Sequence, residues 1–180
     1  MTSLACVTGR FQPVHRDHLA LFCTALAAHD RLVIAVTNPD PGARQAEDAA
    51  RHRHTDDANP FTYYERARLL LAAVAAAGLG SRSTVVPFDL TRPQHWVHYV
   101  PAHAVHYVRT AGPWEEQKAA RLADAGYRVL RLPGPAFRSA TAVRAALRAG
   151  GGWEDGVPAG TVGVLRELLA ETPMAQRGTG

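Results

Sequence analysis

Short β-branched apolar runs alternate along the chain with stretches whose apolar residues recur at helical spacing. Leu4 to Thr8 reads as a strand, and His18 to His29 as a helix with Leu19, Leu21, Phe22 and Leu26 on its apolar side. Arg31 to Val36 (RLVIAV) is almost entirely apolar, the pattern of a strand covered on both faces. Thr62-Tyr63-Tyr64-Glu65 forms a capping box, in which the Thr hydroxyl accepts from the third helical amide while Glu65 reaches back. It opens a helix through Arg66 to about Ala77, stopped near Gly78. Ser83 to Val86, Ala104 to Val108 and Tyr127 to Leu132 supply three further strands. Trp114 to Ala125 is a helix with Gly126 as its left-handed cap, Ser139 caps another that runs to about Ala149, and Thr161 to Ala170 makes the last. The polar stretch from Asn38 to about Asn59 is expected to be a mobile loop, and Pro173 to Gly180 a frayed tail.

Strands alternating with helices imply right-handed crossovers, so the fold class expected is α/β: a doubly wound, parallel, five-stranded sheet with C-terminal helices. At 180 residues, the chain has the size of one domain, 1–180. Ligands of such sheets sit beyond the carboxyl ends of the strands, where the strand order reverses. The loop after the first strand is the usual address.

An apolar content of 47% with 20% charged residues describes a globular chain. No apolar run approaches the roughly 18–20 residues of a membrane span. The start Met1-Thr2-Ser3 lacks a basic region and a cleavage site. Cys6 and Cys23 read as small core hydrophobes rather than a disulfide, and a cytoplasmic location is expected. The formal charge of +4 would suit a polyanion, yet no Lys/Arg-rich run makes a nucleic-acid stripe, and a small phosphorylated ligand explains the bias equally well. A homo-oligomer is compatible with everything so far.

The first loop reads Gly9-Arg10-Phe11-Gln12-Pro13-Val14-His15-Arg16-Asp17-His18. Gly9 permits a tight exit from the strand, and Arg10 can fork two hydrogen bonds to phosphate. His15 and His18 lie three apart at a helix start, where free N–H groups and the helix dipole favour an anion. The same pair could bind metal, but no nearby His or Cys completes a tetrahedral set. His95, His98, His103 and His106 would form one only by folding chance, and His52 and His54 read as surface residues. Neither G-x-G-x-x-G nor a Walker A lysine motif occurs.

This loop resembles that of the (H/T)xGH nucleotidyltransferase superfamily, in the GRFQPxHxGH form of archaeal-type nicotinamide-nucleotide adenylyltransferases. Asn59-Pro60-Phe61-Thr62 with Glu65 and Arg66, Trp96-Val97-His98-Tyr99-Val100, Ala125-Gly126-Tyr127, Ser139-Ala140-Thr141-Ala142-Val143-Arg144, and Trp153 with Val157-Pro158 resemble further blocks of that family, in the same order over about residues 4–170. The resemblance implies a Rossmann-like nucleotidyltransferase fold and AMP transfer from ATP to nicotinamide mononucleotide, giving NAD and pyrophosphate, with Mg²⁺ carried mainly on the triphosphate. His15, His18, Arg10 and Arg144 would be catalytic. Gly9, Phe11, Gln12, Asp17, Ser139 and Thr141 would bind nucleotide and phosphates, and Trp96, Arg109 and Thr110 the acceptor, with Trp96 stacking on nicotinamide or else filling the core.

Three positions depart from that family. Asp17 stands where the motif has glycine, so a Cβ and a negative charge meet the nucleotide. Arg109-Thr110-Ala111-Gly112-Pro113 replaces an asparagine-containing turn, and Pro93 replaces an asparagine. A different acceptor or base, CTP for instance, and a weakened NAD- or ATP-binding module therefore stay open.

Overall fold

The computed structural model describes residues 2–46, 48, 54–134 and 139–177. Five parallel strands build one sheet: β1 (Leu4–Gly9), β2 (Arg31–Thr37), β3 (Ser83–Phe88), β4 (Val105–Thr110) and β5 (Arg128–Pro133), in the order β3-β2-β1-β4-β5. Among the described residues five α-helices accompany them: α1 (Arg16–Ala28), α2 (Tyr63–Ala76), α3 (Pro113–Asp124), α4 (Ala140–Ala149) and α5 (Val162–Glu171).

Alternation along the central strands divides the core in two. Ala5 and Val7 of β1, with Leu32, Ile34 and Val36 of β2, face a cluster built on α1, α2, α4 and α5. Cys6, Val33 and Ala35 face the other way, against Ala119 and Leu122 of α3 and against Trp96 and Val100. A period of two on strands buried from both sides is what made RLVIAV continuous. The sheet is doubly wound, and β1 lies between β2 and β4, so its carboxyl end is the point where the strand order reverses.

Local chemistry sets the element ends as the sequence implied. Thr62 Oγ1 accepts from the Glu65 amide while Glu65 Oε2 accepts from the Thr62 amide. Ser139 Oγ accepts from the Ala142 amide. Gly126 and Gly150 end α3 and α4 at φ of 90° and 82°, a region costly for residues with a Cβ.

Two expectations are corrected. Residues 173–177 are docked: Met174 is buried, and the Arg177 guanidinium donates to the carbonyls of Thr172, Pro60 and Leu168, pairs with Glu65, and lies 4.9 Å from the Phe61 ring centroid. Cys23 is exposed on α1, one residue past the buried Phe22, whereas Cys6 is buried. The stretch after β2 is tied at both ends, with 3-10 turns at Pro41–Ala43 and Asp56–Ala58 and an Arg44–Asp56 ion pair between them. His52 and the end of the tail, 178–180, lie outside the described residues.

Candidate active site

Where β1 ends, the chain turns through Phe11 at φ 50° and a cis Gln12–Pro13 peptide before entering α1. Beyond it opens a cavity of about 390 Å³, walled by this loop, by Arg109 of β4, by Trp114 and Lys118 of α3, and by Ser139 and Thr141 at the head of α4. Two helix N-termini, those of α1 and α4, thus open on one space. Each presents the positive dipole end of a helix, suited to phosphate oxygens. The cavity has the volume of a small-molecule site.

His15 and His18 stand together at the head of α1, with ring centroids 3.6 Å apart and planes inclined by 27°. Burial pushes the His15 imidazole down to about 4, against a smaller upward pull from Asp17. His18 is driven well below its ordinary value by burial, then by His15, Lys118, Arg10 and Arg109. Both rings are therefore neutral at pH 7. The His15 amide donates to His18 Nδ1 at 3.2 Å, which leaves the single proton of that ring on Nε2. His15 Nδ1 is buried with no hydrogen-bond partner among the described residues. A neutral N–H donor amid several cations is an arrangement that awaits an anion.

Behind this pair lies a rigid backing. The Phe11 ring is buried, packing edge-on against His18 at 4.8 Å and Phe22 at 5.8 Å. Gly9 is glycine for that ring's sake, since a Cβ there would meet Phe11 Cε1 and Cζ at 2.9 Å. Gln12, 1% exposed, spends its side chain on the Phe61 backbone, accepting from its amide and donating to its carbonyl, both at 2.9 Å. Arg66 donates to the carbonyls of Arg10, Thr37 and Asn38, tying together the exits of β1 and β2.

Against the residues singled out from sequence, the structure brings His15, His18, Gly9, Arg10, Asp17, Arg109, Ser139 and Thr141 to one cavity wall. Five of the expected site residues use their side chains on protein partners. Phe11 and Gln12 also line the cavity, with side chains that pack beneath the histidines and clamp the loop to Phe61. Arg144 is buried just behind the wall, donating to the Gln12 carbonyl at 2.8 Å and to Thr141 Oγ1 at 3.1 Å. Trp96 is only 2% exposed, sits in the core against Phe88, and donates its indole N–H to the Asp89 carbonyl at 2.7 Å. Thr110 points its hydroxyl at the Leu132 carbonyl of the neighbouring strand, at a long 3.5 Å.

Sequence reasoning passed over Lys118 and Trp114. Their spacing with Arg121 (114, 118, 121) puts all three on one face of α3, a signal available in the sequence. Thr62 and Glu65 cap α2, as expected. Among the described residues no group of three or more His, Cys, Asp or Glu side chains could hold a metal ion, and no helix is long and apolar enough to cross a membrane.

Fold and sequence together place the chain among the nucleotidyltransferases. The chain is 32% identical over 166 residues to the phosphonoformate cytidylyltransferase of Streptomyces viridochromogenes, covering 89% of each. It is 32% identical over 167 residues to the nicotinamide-nucleotide adenylyltransferase of Pyrococcus abyssi, covering 89% of this chain and 81% of that one. A bifunctional NMN adenylyltransferase/ADP ribose pyrophosphatase from Francisella tularensis shares the fold with a TM-score of 0.72 at 16% identity, over 97% of this chain and 51% of that one. A putative nicotinate-nucleotide adenylyltransferase from Vibrio parahaemolyticus gives 0.58 at 18% identity, over 92% and 99%. No protein-family model matches. The chain belongs to the nucleotidyltransferase family that contains the nicotinamide-nucleotide adenylyltransferases and phosphonoformate cytidylyltransferase, and it is an enzyme of that class.

Proposed function

We propose that the chain transfers a nucleoside monophosphate from a nucleoside triphosphate to a phosphorus-oxyanion acceptor. AMP transfer from ATP to nicotinamide mononucleotide, yielding NAD and pyrophosphate, is the first reading. The observation that carries it is the convergence of His15, His18, Ser139 and Thr141 on one cavity at the switch point. The acceptor oxygen attacks the α-phosphorus in line, and the electron pair of the broken P–O bond leaves on pyrophosphate. No enzyme nucleophile is needed, so catalysis is positioning and charge stabilisation. The Nε2–H of His18 donates to α-phosphate oxygens as negative charge shifts, and the α4 amides with Ser139 and Thr141 hold the outer phosphates. Arg144 acts from behind, fixing Thr141 and the Gln12 carbonyl and adding buried positive charge. Mg²⁺ would enter on the triphosphate, which suits a wall offering only Asp17 and Glu115 as carboxylates.

A second reading, CMP transfer to a small phosphonate, is favoured by one feature: Trp96, the residue that the resemblance puts against nicotinamide, is sealed in the core and is not part of the cavity wall. The relative from Streptomyces viridochromogenes is named for that chemistry. Pyrophosphate release, measured for ATP and CTP against nicotinamide mononucleotide and phosphonoformate, decides between the readings. His18→Ala is expected to lower the rate of the productive pair by about 10²–10³-fold. Release that is unchanged in the variant would overturn the assignment.

A further inference from the structure

The turn that leads into the histidines needs support from outside itself. Phe11 takes φ 50°, a left-handed conformation that a bulky residue keeps only where its surroundings enforce it. The support comes from residues 58–66, none of which lines the cavity. Gln12 exchanges two hydrogen bonds of 2.9 Å with the backbone of Phe61. Arg66 donates to the Arg10 carbonyl at 2.9 Å, and Arg10 Nη1 donates to the Ala58 carbonyl at 3.2 Å. The turn is cast against this block, so it is only as well placed as the block is.

Pro60 and Phe61 lie between a 3-10 turn ending at Ala58 and α2 beginning at Tyr63, outside any regular element. Arg177 reaches in from the tail to hold them. Its Nη1 donates to the Pro60 carbonyl at 3.2 Å and to Glu65 Oε1 at 2.7 Å, and the guanidinium lies 4.9 Å from the centroid of the buried Phe61 ring. Nε and Nη2 donate, both at 2.8 Å, to the carbonyls of Thr172 and Leu168 at the C-terminal end of α5. One planar fork, buried and bonded through all three nitrogens, thus fastens the block to α5. Glu65 adds the start of α2, since its other oxygen accepts from the Thr62 amide.

We propose that Arg177 is a positioning residue for this turn: through Pro60 and Phe61 it holds Gln12, and with Gln12 the conformation that presents His15 and His18 to the cavity. It touches no substrate. Its effect is on the fraction of molecules whose turn is ready to receive a triphosphate, and apparent affinity falls in proportion to that fraction. The inference rests on the nucleotidyl-transfer reading only for the ligand used as probe; the clamp itself belongs to the protein.

The test reads the clamp and the ligand separately, in full-length protein below its unfolding transition. Arg177→Met removes the fork and keeps an apolar stem. Arg177→Lys keeps a charge for Glu65 and serves if the Met variant does not fold. NMR follows the side-chain amide of Gln12, whose donation to the Phe61 carbonyl sets it apart from solvated glutamines. Calorimetry gives the affinity for a non-hydrolysable ATP or CTP analogue. In Arg177→Met the Gln12 amide resonances are expected to move towards the solvated position, with analogue binding about tenfold weaker. Arg177→Lys is expected to show the same two changes at smaller size. In a Gln12→Met background the Arg177 substitution should add less than about twofold to the loss, because the two residues act in series. Unchanged Gln12 resonances and unchanged affinity beneath a lowered Tm would make Arg177 a tie of α5 alone and overturn the proposal. Full additivity with Gln12→Met overturns it too. If neither analogue binds the wild-type protein while the Gln12 resonances respond as expected, the nucleotidyl-transfer reading fails and the clamp stands.

Discussion

Burial at the head of α1 strips His15 of the hydration that a charged imidazole needs, and that loss outweighs the attraction from Asp17. With His15 lowered to about 4, and His18 lowered well below its ordinary value by burial and then by its neighbours, kcat/KM for the triphosphate should stay flat from pH 6 to 8 once the ligand's own ionisation is removed. An acid limb centred near 6.5 in that profile would contradict neutral rings. Trp96 gives a second test at this scale. Replacing it by Phe removes a buried indole and its bond to Asp89, so stability should drop by about 1–3 kcal/mol in denaturant unfolding, with acceptor KM unmoved. A selective rise in acceptor KM would put Trp96 back at the ligand. The histidines, Ser139 and Thr141 were legible as residues because their chemistry depends on position within a helix start. Arg144 was read as a phosphate ligand, and the sequence does not reveal that its guanidinium donates to the Gln12 carbonyl and to Thr141 Oγ1.

Elements were largely readable because their ends carry their own signals. The Thr62 and Ser139 caps, and the glycines after α3 and α4, act through bonds only a few residues long. The tail was not readable for the converse reason: Arg177 finds Pro60 and Glu65 across 117 and 112 positions of sequence. That link runs on to the site, because the next residue, Phe61, is clamped on both backbone groups by Gln12. Arg177→Ala strands a nearly buried Glu65 and removes the contact with the Phe61 ring, so unfolding free energy should fall by about 3–5 kcal/mol. An unchanged Tm would show that the tail merely rests on the surface.

On the scale of the whole molecule, the switch-point address followed from the alternation of strands and helices, while the split of the core into two faces needed the strand order. His106 shows what that split conceals. It is fully buried on β4 between Phe88 and Tyr127, with neither ring nitrogen bonded among the described residues, and burial lowers it to about 3. The unfolded chain takes up a proton near pH 6.5 and the folded one does not until about 3, so stability holds above 6.5 and is lost as pH falls through that window. The slope expected from this group is about 1.4 kcal/mol per pH unit. Denaturant unfolding between pH 4 and 7 measures it, and His106→Leu should remove this share of the slope; an identical acid profile in the variant would refute the assignment.

The central claim is that one polyphosphate lies between the heads of α1 and α4, and a crystal structure with a non-hydrolysable ATP or CTP analogue tests it most directly. The account predicts the α-phosphate within hydrogen-bond distance of His18 Nε2, and the outer phosphates on Ser139, Thr141 and the first amides of α4. Phosphates bound away from the histidine pair, or touching only one of the two helix heads, would contradict it.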